Sequence, residues 1–123
     1  MPHVLIAEDD PTNYMLIEKL MGLTHAEILW AKNGLEATEA VKKVTDPKKM
    51  FILMDIKMPL MNGIEALRII RLKQKKIPII AVTAYAQEHD RLEILKNNFD
   101  GYVTKPIARG VLMKTIRQAL NMK

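Results

Sequence analysis

The stretch that most constrains the fold is Met50-Phe51-Ile52-Leu53-Met54-Asp55, an unbroken apolar run that ends on a single carboxylate. A strand with one wet face alternates polar and apolar residues. A run without alternation needs cover on both faces, as in a parallel sheet layered between helices. A loop with Pro59 and Gly63 follows, then a helical pattern. Such sheets hold their chemistry outside the carboxyl ends of the strands. Asp55 therefore stands where a ligand or a reacting group is expected, outside the core.

The same unit recurs along the chain. Residues 3–7 form a buried strand closed by Glu8-Asp9-Asp10, and Asp10-Pro11 is a helix start, an Asp cap followed by Pro at the first helical position. Leu16, Ile17, Leu20 and Leu23 predict a helical stripe to about Leu23, with Gly22 near its end. Residues 27–31 read as a short strand, Asn33-Gly34 as a turn, and 35–44 as a helix with Ala37, Ala40, Val41 and Val44 on one face. A loop over 45–49 leads into the central strand. Ile64, Leu67, Ile70 and Leu72 then predict a third helix. Residues 77–82 form another continuous apolar strand, finishing at Thr83, and 88–97 a fourth helix stopped by Asn98 in the left-handed conformation. Residues 100–104 are the last strand, before Lys105-Pro106. The chain closes with a fifth helix over 108–122, with Leu112, Ile116, Ala119 and Leu120 inward. Five strand–helix repeats over 1–123 predict one α/β domain, a parallel sheet with helices on both faces and all five strand-to-helix loops at one end.

Composition narrows the function classes. The absence of cysteine removes disulfides and thiolate metal sites, and no apolar run approaches the ~20 residues that span a bilayer. A cytoplasmic setting is expected. The net charge is +5, but the few aromatic residues are not interleaved with the basic ones as a base-stacking platform requires. No nucleic-acid or membrane partner is expected, and the charge favours, weakly, an acidic protein partner.

The strand ends deliver Glu8 and Asp9, Asp55, Thr83 and Lys105. Carboxylates within ~4–6 Å of one another repel unless one keeps a proton or a cation joins them. Oxygen donors without His or Cys suit Mg²⁺, or else Mn²⁺. A carboxylate nucleophile, a divalent ion and a lysine are the parts that phosphoryl transfer to Asp requires, with the Thr83 hydroxyl available to the phosphoryl oxygens. No further carboxylate or histidine lies nearby in sequence to act as a general base. The set suits accepting and holding a phosphoryl group better than rapid turnover.

Five segments, LIAEDDPTNYMLIEKL, NGLEA, ILMDIKMPLMNGIEALRIIR, IPIIAVTAYA and DGYVTKPI, occur in an order and spacing that resemble a receiver domain of the two-component response regulators. The resemblance runs from end to end and is strongest to receivers attached to hybrid sensor histidine kinases. It implies a flavodoxin-like fold with strand order 2-1-3-4-5. It also implies Asp55 as phosphoacceptor, and Glu8, Asp9, Asp55 and the backbone carbonyl of Lys57 as metal ligands. Thr83 and Lys105 are then the groups that contact the phosphoryl oxygens, and Lys105-Pro106 is a cis peptide. The implied partner is a sensor histidine kinase or a histidine phosphotransfer domain, and the implied assembly a monomer or a weak phosphorylation-dependent dimer. Met50, Asn62 and Asn98 depart from the family pattern without touching this machinery.

The resemblance further implies a switch, in which Thr83 moves to the phosphoryl group and Tyr102 turns inward. That would change the face made by the fourth helix, fifth strand and fifth helix. The rival readings are a metal-dependent aspartyl-phosphate phosphohydrolase and a flavodoxin-like mononucleotide binder. The first usually places an acid two residues after its nucleophile, where this chain has Lys57. The second needs a Ser/Thr/Gly-rich phosphate loop after the first strand, where Glu8-Asp9-Asp10 would repel phosphate.

Overall fold

Strand β3 (Met50–Asp55) is buried along its whole length, as its unbroken apolar run requires. The computed structural model describes residues 3–22, 27–44, 46–84, 92, 94 and 96–121. Beside β3 lie β1 (His3–Ala7), β2 (Glu27–Ala31), β4 (Ile79–Thr83) and β5 (Gly101–Thr104). All pairs are parallel, in the order β2-β1-β3-β4-β5. The expected sheet and strand order are both present.

Helices α1 (Pro11–Met21), α2 (Gly34–Lys43) and α3 (Gly63–Lys73) follow the first three strands, and the chain ends in a C-terminal helix, Arg109–Asn121. Each start has a chemical cause. The Asp10 side chain accepts from Thr12 N at 2.9 Å ahead of Pro11, and Asn33 Oδ1 accepts from Glu36 N at 2.8 Å. Asn62 and Glu65 form a reciprocal capping box, at 2.9 and 3.1 Å. Successive strand side chains point to opposite faces, so β3 divides its apolar residues between two cores. Phe51 and Leu53 meet α1 and the C-terminal helix, whereas Met50, Ile52 and Met54 meet α2 and α3.

Several expectations of the sequence change. The buried stripe of α1 is Tyr14, Ile17 and Met21, with Leu16 exposed, because Leu16 sits about 100° around the helix from Ile17. Leu72 is 74% exposed and Leu120 44%, for the same angular reason relative to Ile70 and Ala119. Leu23 and most of the expected fourth helix lie outside the described residues, although Leu92, Ile94 and Lys96 are helical. Asn98 is not left-handed. Phe99 N donates to Asn97 O at 2.9 Å and Arg71 Nη2 to Asn98 O at 3.1 Å, which makes the turn without a positive φ. Among the described non-glycine residues the positive φ belongs to Leu60, at 66°. It is the centre of a three-residue turn closed by Met61 N donating to Pro59 O at 2.7 Å.

Candidate functional site

The register of the sheet decides which side chains meet. Ala7 pairs with Met54, which sets Glu8 beside Asp55. Asp55 pairs with Val82, so Thr83 stands one step farther out. Thr83 pairs with Thr104, and Lys105 comes next. Two strand spacings, about 10 Å, separate the β5 and β3 backbones, a span suited to a long side chain. Lys105 Nζ lies 2.9 Å from Glu8 Oε1 and 3.4 Å from Asp55 Oδ2. Its backbone N–H donates to Thr83 O at 2.8 Å, and the Lys105–Pro106 peptide is cis.

The acids differ in setting. Glu8, Asp55 and Thr83 are buried, Asp55 being 5% exposed, whereas Asp9 is open to solvent. Glu8 is held at both ends. Its Oε2 accepts from Asp10 N at 3.1 Å, and its backbone carbonyl accepts from Trp30 Nε1 at 2.8 Å. The indole is fixed in turn by stacking on Tyr14, with ring centroids 4.0 Å apart. Carboxylate oxygens of Glu8, Asp9 and Asp55 all lie within 4.8 Å of one another.

Burial pushes the Asp55 carboxyl up to about 7, and the hydrogen bond and charge of Glu8 push the same way, against the pull of Lys105. Burial pulls Lys105 down, but Glu8 and Asp55 outweigh it, so its net shift is upward and the ammonium stays charged. One cation does not relieve three crowded carboxyl groups, and the ion-paired Glu8 Oε1 has no hydrogen-bond donor at acceptable geometry. Oxygen-only donors from three crowded acids, together with a buried oxygen lacking a donor, fit a hard divalent cation such as Mg²⁺ or Mn²⁺.

Glu8, Asp9, Asp55, Lys57, Thr83 and Lys105 all line one cleft of about 280 Å³, so the expected set converges. Tyr102 stands apart from it, half-buried on β5 against Ile56, Ala81 and Ile94. Sequence reasoning missed Asn13 as a lining residue and Trp30 as the support of Glu8. Asn13 follows Asp10 by one helical turn, a spacing that could have flagged it. The Trp30 contact depends on how β2 lies beside β1.

Residues 4–117 match the family model of the response regulator receiver domain. The chain belongs to that family. It is 39% identical over 119 residues to hybrid signal transduction histidine kinase I of Dictyostelium discoideum, covering 92% of this chain and 7% of that protein. To the sensor protein GacS of Pseudomonas syringae pv. syringae it is 32% identical over 120 residues, covering 94% and 13%. The chain thus spans a small part of the length of these curated relatives. Among solved structures it is similar to the receiver domain of the sensor histidine kinase PA1611 of Pseudomonas aeruginosa PAO1, with TM-score 0.87, 28% identity and 98% of each chain covered. That receiver has a magnesium ion coordinated in its active site cleft. This chain is a receiver domain of the two-component response-regulator family, which sets it apart from both rival readings.

Proposed function

We propose that Asp55 accepts the phosphoryl group of a phosphohistidine, carried by a sensor kinase or a histidine phosphotransfer domain, with residues 1–123 acting as one receiver. The observation that carries this reading is the Lys105 ammonium, 2.9 Å from Glu8 and 3.4 Å from Asp55 beside three clustered carboxylates. An Asp55 carboxylate oxygen forms the O–P bond as the N–P bond of the phosphoimidazole breaks, and the imidazole leaves with the bonding pair. Asp55 must be ionised to attack. Glu8, Asp9 and Asp55, with the Lys57 carbonyl, would hold Mg²⁺ or Mn²⁺. The bound ion supplies neutralising charge to the acids and the phosphoryl oxygens.

Lys105 and Thr83 then donate to the phosphoryl oxygens, and such charge-assisted bonds contribute roughly 1.5–3 kcal/mol each. Two of them approach the ~5.5 kcal/mol needed to drive a conformational equilibrium from 1:99 to 99:1. Tyr102 follows Thr83 inward and alters the surface of β5 and its flanking helices. Lys57 lines the cleft on the path of attacking water, and its long side chain is neither a carboxylate nor an amide that would orient that water, so the aspartyl phosphate decays slowly. Tyr85, the second residue on that path by sequence, lies outside the described residues. Among the described residues no helix is long and apolar enough to cross a membrane, and we place the domain in the cytoplasm, as a monomer or a weak phosphorylation-dependent dimer. The test is intact mass after treatment with acetyl phosphate and Mg²⁺. One phosphoryl mass is expected on the wild type and none on Asp55→Asn. Equal labelling of both would overturn the assignment.

A further inference from the structure

The amino-terminal ends of β3 and β4, opposite the acidic cleft, open into a larger groove of about 810 Å³. One wall is the short turn Pro47–Lys49, carrying Lys48 and Lys49. The other is the end of α3 and the loop beyond it, carrying Lys73, Lys75 and Lys76. All five lysines are exposed. Between them, apart from Gln74, the lining is apolar, with Phe51 and Pro78 beneath and the half-exposed Leu120 at one side.

This is more than an ordinary solvated rim. The groove has no carboxylate among its described lining residues. Asp46, the acid nearest in sequence to one wall, caps the turn by accepting from Lys48 N at 3.3 Å. Five of the 19 basic residues of the chain gather around this one groove. The α3 macrodipole accounts for Lys73, which lies in its last turn, but not for lysines beyond the helix or on the opposite wall.

We infer that this groove is a docking surface for an acidic segment of a partner protein that inserts an apolar side chain between Phe51, Pro78 and Leu120. Lysine stems extend the apolar walls while their ammonium groups meet carboxylates at the rim. A protein segment is favoured over nucleic acid because the described lining holds a single aromatic residue, Phe51, where a base-stacking platform needs several. The surface lies away from Asp55, so docking and phosphoryl acceptance occupy separate sites.

The experiment is an NMR titration of the full chain with a labelled peptide of alternating Glu and Leu, alongside an all-Glu peptide of equal charge, anionic phospholipid vesicles and a DNA duplex. The Glu/Leu peptide is expected to shift amides of residues 47–51, 73–78 and 120. The triple variant Lys48→Glu, Lys75→Glu, Lys76→Glu is expected to weaken it by about tenfold, from three rim pairs of ordinary surface strength. Lys42→Glu with Lys43→Glu, on α2 outside the groove, is expected to change it less than about twofold. Acetyl phosphate labelling of Asp55 should be unchanged in both, which keeps the inference separate from the phosphoacceptor reading. Shifts spread over every basic face, equal binding of the all-Glu peptide, or selective binding of vesicles or DNA in place of the Glu/Leu peptide would each overturn it.

Discussion

Replacing Asp55 by Asn should stabilise the metal-free domain while abolishing its chemistry. Asp55 is buried beside Glu8, and its carboxyl is raised from 3.8 to about 7. The folded state therefore binds a proton that the unfolded chain releases, so the contribution of Asp55 to stability is fully present below pH ~4 and is lost as pH rises through about 7. A shift of that size corresponds to about 4 kcal/mol at most. The cleft opens to water and Lys105 offsets part of the repulsion, so solvent screening reduces the expected loss to about 1–2 kcal/mol. Asn keeps the shape, can donate to Glu8 and carries no charge. Lys105 retains its 2.9 Å contact with Glu8. Urea unfolding should show Asp55→Asn more stable than wild type by about 1–2 kcal/mol at pH 8 in chelator, with the advantage gone near pH 4. Millimolar Mg²⁺ should stabilise the wild type and have much less effect on the variant. If Asp55→Asn is less stable at pH 8 without metal, or its advantage is the same at both pH values, the electrostatic reasoning is wrong.

Other perturbations act elsewhere in the domain. Arg71 ties α3 to the start of β4 and the approach to β5, donating to Ile77 O at 2.6 Å and Asp100 Oδ2 at 2.8 Å, with both side chains only 11% exposed. Arg71→Met removes the cation beside Asp100, whose Oδ2 still accepts from Ile79 N at 2.8 Å, and should cost about 3 kcal/mol in urea unfolding, with labelling of Asp55 retained. A Cβ on Gly63 would lie 2.2 Å from the Asp55 carbonyl oxygen, so Gly63→Ala should lower both stability and labelling rate, measured by urea unfolding and timed intact mass. Thr83→Ala should accept the phosphoryl group yet lose the phosphorylation-dependent shift of the Tyr102 ring resonances; a full shift would break the proposed coupling. Lys57→Ala should shorten the aspartyl-phosphate half-life, followed by loss of the phosphorylated mass after donor removal.

The sheet was legible because buried parallel strands cannot alternate, and Val4–Ala7, Met50–Asp55 and Ile79–Thr83 are covered on both faces. The convergence of Glu8, Asp55, Thr83 and Lys105 followed from strand ends and the resemblance together, since Lys105 is 50 residues from Asp55 and meets it only through the crossovers. Helix faces were harder to read. Leu16, Leu72 and Leu120 are as apolar as their buried neighbours, and sequence alone did not show which side each core would occupy. Tyr14 is buried because its ring lies on Trp30 and its hydroxyl donates to Glu18 at 3.0 Å, a pairing created by the position of β2. The positive φ of Leu60 leaves no sequence signal either, since it arises from a turn that a leucine ordinarily avoids.

The proposed chemistry requires Glu8, Asp9, Asp55, Thr83 and Lys105 to surround one phosphoryl-sized space. A crystal structure with Mg²⁺ and trifluoroberyllate tests it most directly. Beryllium is expected on an Asp55 oxygen, with fluorines contacted by Lys105 Nζ and Thr83 Oγ1 and the ion among the three acids. A mimic bound elsewhere, or on Asp55 with Lys105 still paired to Glu8 and turned away from it, would contradict the account.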